Sequence, residues 1–191
     1  MKIITKNSRQ TQKIGEDLAK YILEVSKGPG VDSGDFKKRP RDSKSLSYTK
    51  IPRSWKIRIA EDAAIALGLS GNLGGGKTTF LQGFAKGLRV KEKILSPTFV
   101  IMKRFELKNN KFSNFYHIDC YRLKDHDDIL ELMGFSAKGG PASGWKDIIS
   151  NPKNIVAVEW PEKIKRAMPK SATTINFKFI SENKREIKFK M

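Results

Sequence analysis

The chain has one cysteine, Cys120, in 191 residues, so no internal disulfide can form, and the sequence predicts a reducing, cytoplasmic setting. Cysteine and histidine nowhere fall at metal-ligand spacing. Apolar runs are short. None approaches the roughly 20 residues of a membrane span, and the opening MKIITKNSRQTQKI lacks the apolar centre of a secretory leader. Acids are scarce, 20 against 38 Lys and Arg, which leaves a formal charge of +18. That imbalance favours polyanionic partners, RNA among them, because cations that displace condensed counterions bind phosphate backbones without reading sequence. No internal repeat is apparent, and the length suits one domain over residues 1–191.

Against these absences one stretch stands out. An apolar run over residues 63–69 ends in Gly71-Asn72-Leu73-Gly74-Gly75-Gly76-Lys77-Thr78, the G-x-x-x-x-G-K-[ST] pattern of a phosphate-binding loop. Glycines let the backbone turn tightly and bring N–H groups close to phosphate oxygens. A helix predicted over residues 78–88 adds its N-terminal N–H groups and the positive end of its dipole. Lys77 reaches the outer phosphates as a mobile charge, and the Thr78 hydroxyl supplies an oxygen ligand for Mg²⁺.

In chain order, Ile3 and Ile4 suit a short strand. After Ser8, the residues Ile14, Leu18, Tyr21, Ile22 and Val25 recur at helical spacing and predict an amphipathic helix over roughly 10–25, stopped at Gly28-Pro29-Gly30. Residues 28–60 form a basic insertion. From Lys37 to Arg58 nine basic residues meet a single acid, Asp42, before a short strand at 55–59. Two readings stand side by side: a solvated insertion, or an arm docking on RNA with Tyr48 and Trp55 stacking on bases. Apolar runs at 99–107 and 112–119 flank Asn109-Asn110-Lys111 and predict a hairpin, hence a mixed sheet. A short helix at 127–133, a loop at 139–144, a buried strand at 155–158 and a closing hairpin of 173–180 with 185–190 complete the reading. The fold class is α/β, a P-loop NTPase-like three-layer fold with a mixed parallel and antiparallel sheet.

A phosphate loop needs a carboxylate to hold Mg²⁺ or orient water. Asp119 and Glu159 both close apolar runs. On that generic pattern Glu159 is the better metal-side residue, while His117 and Tyr121 read as packed strand residues. Arg122 either neutralises transition-state charge or pairs with an acid.

The order Gly71 to Phe80, Ser96-Pro97-Thr98-Phe99, His117-x-Asp119-x-Tyr121-Arg122-Leu123, Glu131-x-x-Gly134 and Glu159-Trp160-Pro161 resembles the TsaE (YjeE) family, the ATPase subunit that serves threonylcarbamoyladenosine modification of tRNA. The likeness runs from the first helix, where Thr11 falls at the family's N-terminal threonine, to Pro169. It implies Mg²⁺ with ATP or ADP as ligands and slow hydrolysis dependent on partners. Those partners are the threonylcarbamoyltransferase subunit and its inactive paralogue, of the TsaD and TsaB types, with tRNA reached through the complex. It also implies a nucleotide run of Asn72, Leu73, Gly74, Gly75, Gly76, Lys77, Thr78 and Thr79, joined by Thr11 and Trp160. Catalytic roles fall to Lys77, Thr98, Asp119 and Glu159, and Mg²⁺ falls to Thr78, Thr98 and Asp119, so that the likeness transfers the metal-side role from Glu159 to Asp119. Three features depart from the family pattern: Gly75 for Ala or Ser, Phe99 for Tyr, and the basic insertion.

Two other classes compete. A small-molecule P-loop kinase needs an acceptor site and a mobile Arg-rich lid, which the basic insertion imitates from the wrong side of the loop. An RNA-binding module with a structural nucleotide keeps RNA binding when Lys77 is lost. The Asn-Lys-x-Asp pattern of a guanine reader is not evident, so adenine rests on the resemblance.

Overall fold

The computed structural model describes residues 1–26, 57, 62–94, 101–123 and 144–190. Seven strands form one sheet: β1 (Lys2–Thr5), β2 (Ile65–Ser70), β3 (Met102–Glu106), β4 (Asn114–Asp119), β5 (Asn154–Glu159), β6 (Thr173–Phe179) and β7 (Arg185–Lys190). Their spatial order is β1-β7-β6-β2-β5-β4-β3. β6, β2, β5 and β4 pair in parallel, while β3, β7 and β1 join antiparallel, so the sheet is mixed as the two hairpins predict. The central strands β2 and β5 are covered on both faces, which is why IALGLS and NIVAVE carry apolar residues without alternation.

Helices α1 (Ser8–Val25) and α2 (Lys77–Gly87) cover one face. Leu18, Ile22, Phe80 and Phe84 there meet Leu67, Phe115, Ile175 and Ile187 of the sheet. On the other face α3 (Trp145–Ser150) and a 3-10 turn at Pro161–Ile164 bury Trp145, Ile148 and Ile164 against Ile118, Val156 and Val158. α1 starts two residues earlier than its apolar period indicates. Asn7, not Ser8, is the cap, and its side chain accepts the Gln10 N–H at 2.8 Å while Gln10 Oε1 accepts the Lys6 N–H at 2.7 Å. α3 carries no period long enough to be read from sequence. All but residue 57 of the strand expected at 55–59, the helix at 127–133, most of the 139–144 loop and most of the basic insertion lie outside the described residues.

α1 and α2 approach each other along glycine. A Cβ built on Gly83 lies 1.8 Å from the Gln12 carbonyl oxygen, so nothing larger fits unless the helices part. Helix propensity alone makes Gly83→Ala stabilising by about 1 kcal/mol. We expect the opposite sign, a loss of about 2–3 kcal/mol from overpacking and a Tm lower by roughly 5–10 °C. Thermal melts of the variant check it.

Candidate functional site

β2 ends at the middle of the sheet's carboxyl edge, and residues 71–78 turn from it into α2. Gly71, Gly74 and Gly76 hold φ values of 133°, 70° and 96°, a region closed to most side chains. A Cβ on Gly71 lies 2.1 Å from the Phe177 carbonyl oxygen. The loop is closed from within: the Gly75 N–H donates to Asn72 O at 3.1 Å, and the Phe80 N–H to Gly76 O at 2.9 Å.

Lys77 curls back over this loop. Its Nζ donates to the carbonyls of Gly71 at 2.6 Å and Asn72 at 3.1 Å and lies 4.1 Å from the centre of the Trp160 ring. The residue is 5% exposed. Burial holds its pKa below the usual 10.5, and the nearby Glu159, Asp119 and Glu162 partly offset that. Between that lowered value and 10.5 the unfolded chain binds more protons than the folded one, so stability rises with pH across this window. In melts from about pH 8 to about pH 11, wild type should gain stability relative to Lys77→Met; a constant difference contradicts the assignment.

Asp119 and Glu159 end neighbouring strands and are register partners. Glu159 is 2% exposed and accepts the Thr78 hydroxyl at 3.0 and 3.2 Å through its two oxygens. The Nε2 atom of buried His117 lies 3.0 Å from Glu159 Oε1. Asp119 Oδ1 accepts the Tyr121 N–H at 3.0 Å. Trp160 sits in the left-handed region at φ 59°, its N–H donating to Leu69 O at 3.1 Å, which turns the indole over the loop and against the Tyr121 ring at 5.1 Å. A cleft of about 440 Å³ joins these groups.

Of the residues singled out from sequence, Thr11, Leu73, Gly74, Gly75, Gly76, Lys77, Thr78, Thr79, Asp119, Glu159 and Trp160 all line this cleft. Asn72 is exposed and is not among the residues lining the cleft; its carbonyl accepts from Lys77 Nζ and the Gly75 N–H. Thr11 is buried, its hydroxyl 2.8 Å from that of Thr5. Thr98, the rest of Ser96-Pro97-Thr98-Phe99, Glu131 and Gly134 lie outside the described residues. Sequence reasoning missed Arg185, whose Nε donates to Gly74 O at 2.8 Å, and the contact between His117 and Glu159. No local signal marks Arg185, because it meets the loop 111 positions away. Cys120 is buried, and burial foremost pushes its thiol up to about 12, which leaves it a packing residue.

The arrangement suits a polyphosphate with a hard cation. The cradle is built of glycine, a desolvated ammonium stands in it, and the Thr78 hydroxyl with two carboxylates forms an oxygen set. Among the described residues no group of three or more His, Cys, Asp and Glu forms a metal cage. No helix of the described residues is long and apolar enough to cross a membrane.

Sheet order and loop together place the fold among the P-loop NTPases, a class built to bind nucleotides. A crystal structure of Bacillus subtilis YdiB has the same fold, with a TM-score of 0.55 at 22% identity over 99% of this chain and 83% of that one. The chain belongs to the TsaE family: the family model, described as threonylcarbamoyl adenosine biosynthesis protein TsaE, matches residues 43–187. That span begins beyond α1 and Thr11 and extends past Pro169 into the first half of β7. Relatives described as tRNA threonylcarbamoyladenosine biosynthesis protein TsaE include one from Bacillus subtilis, 34% identical over 123 residues, 64% of this chain and 67% of its own length. One from Haemophilus influenzae is 28% identical over 143 residues, 75% and 81%. Another from Treponema pallidum is 28% identical over 130 residues, 68% and 84%.

Proposed function

We propose that this chain binds Mg²⁺-ATP, hydrolyses it slowly, and couples turnover to a partner transferase complex that makes threonylcarbamoyladenosine in tRNA. The observation that carries the reading is the Thr78 hydroxyl on Glu159, beside Lys77 and one strand from Asp119. The Thr78 hydroxyl with the Asp119 and Glu159 carboxylates would hold a magnesium ion, which would supply neutralisation of phosphate charge. Lys77 holds the loop carbonyls until an anion draws its charge outward, Trp160 covers it from water, and His117 fixes the Glu159 carboxylate. Thr98 completes the metal side as a switch threonine.

The partners are the threonylcarbamoyltransferase subunit and its inactive paralogue, of the TsaD and TsaB types, in the cytoplasm, where tRNA is found. The chain acts as one domain over residues 1–191 with a basic insertion at about 28–60, and the family names on its relatives support the pathway. The test is threonylcarbamoyladenosine formation in a reconstituted mixture of the partner pair, tRNA and this chain. Asp119→Asn should leave nucleotide affinity within about three-fold and reduce hydrolysis by about 100-fold. Undiminished product formation when this chain is omitted removes the proposal.

A further inference from the structure

Away from the cleft, the sheet has two unlike faces. On β6 and β7 the residues Ile175, Phe177, Ile187 and Phe189 turn toward α1 and α2 and are buried with them. Strand alternation sends their neighbours the other way. On that side α3 and the 3-10 turn cover β5, β4 and β2, with Pro161 and Met168 lying over Gly68. Among the described residues no helix does the same for β6, β7 and β1, and Lys2, Lys178, Lys188 and Lys190 stand exposed there. Lys2 is the register partner of Lys188, Lys190 follows two residues along β7, and Lys178 is opposite Glu186 on the next row. Glu186 is the one acid at the outward positions of these strands. It accepts from Lys2 at 2.7 Å, and that bond foremost, with Lys178 and Lys188 adding to it, holds its carboxyl below the usual range. Lys165 and Arg166 are exposed on the same segment as Met168.

Like charges directly opposite one another destabilise a sheet. Lysine on an edge strand guards against edge pairing, but β7 and β6 are interior strands, so that account covers Lys2 alone. A local conflict with no gain inside the fold marks a surface kept for a ligand. We propose that this open face of β1, β7 and β6 binds the phosphate backbone of RNA directly, which goes beyond a reading in which tRNA is reached through the complex. Charge complementarity carries the choice of occupant. Interfaces between proteins are poor in lysine and have an apolar, aromatic centre. Here Ile4, 44% exposed, is the one large apolar side chain at the outward positions within the three strands. Lysines are point charges suited to phosphate. A flat face does not enter the deep, narrow major groove of an RNA helix, so its contacts fall on phosphates and 2′-hydroxyls across the shallow side and read no sequence.

The test is fluorescence anisotropy of a labelled tRNA transcript titrated with the full chain, without nucleotide or partner proteins, from about 50 to about 200 mM salt. The triple variant Lys178→Gln, Lys188→Gln, Lys190→Gln is compared with Lys91→Gln, Lys93→Gln, Lys108→Gln. The second set removes the same charge from exposed positions toward β3, where Glu92 lies 3.8 Å from Lys103. The first triple should bind at least about ten-fold more weakly and lower the salt slope by about 2–3, while the second stays within about three-fold. Lys188→Glu, which gives Lys2 an opposite charge across the strands, should melt no earlier than wild type and still lose about five-fold in RNA affinity. Equal weakening by the two triples assigns the binding to net charge and overturns the proposal. An unchanged salt slope in the first triple and in Lys188→Glu places the RNA elsewhere, the basic insertion included, and overturns it too. So does tighter binding of polyglutamate than of tRNA, which makes the face a site for an acidic protein. Because the mixture holds neither nucleotide nor partners, failure here leaves the ATPase reading standing, and failure of hydrolysis leaves this result standing.

Discussion

Lys77→Ala should abolish measurable nucleotide turnover and weaken Mg²⁺-ATP binding by at least about 100-fold, the cost of losing a preorganised charge aimed at phosphate. The ammonium is desolvated in the loop, the residue 5% exposed, and its contacts there are two carbonyls and an indole face. None of these cancels the charge, so an incoming polyphosphate regains what burial disfavours. The fold should survive, because alanine removes a buried cation as well as its hydrogen bonds, and the loop keeps its glycine turns and the bond from Gly75 to Asn72. Calorimetry and a thermal melt together decide: a folded variant with wild-type affinity contradicts the role given to Lys77.

Glu159→Gln should lower hydrolysis by about 10³-fold while nucleotide affinity stays within about three-fold. Glutamine keeps the volume and still accepts one hydrogen bond, so the buried side chain of His117 retains a partner and stability changes by about 1 kcal/mol or less. What disappears is the negative charge opposite Thr78. That charge repels the bound phosphates but favours a magnesium ion beside them, so affinity hardly moves while turnover falls. Single-turnover hydrolysis with saturating ATP separates the two. If turnover persists, the metal side belongs to Asp119 alone.

The contrast between those two acids shows how far the sequence could be read. The phosphate loop is contiguous, and each of its residue types has one physical task, so Gly71 to Thr78 were legible without a structure. The hairpins were legible because Asn109 and the 181–184 turn interrupt alternating runs, and Asn109 does bond the N–H groups of Lys111 and Phe112. The choice between Asp119 and Glu159 was not. Both close apolar strands, the generic pattern points to Glu159 and the family likeness to Asp119, and only the register shows them side by side with Thr78 on Glu159. Arg185 was invisible for the same reason: its partner is a carbonyl 111 residues away, and a carbonyl carries no signature in sequence. Gly83 did leave a trace. A glycine inside a predicted helix costs about 1 kcal/mol, and the packing of α1 on α2 is what offsets that cost.

The most direct measurement is ATP hydrolysis by the purified chain alone, then with the transferase subunit and its paralogue, then with tRNA. Turnover should be slow for the chain alone, rise sharply with the partner pair, and show no rise for Asp119→Asn. Tight Mg²⁺-ATP binding with a rate indifferent to the partners would contradict the proposed coupling and leave only the nucleotide site.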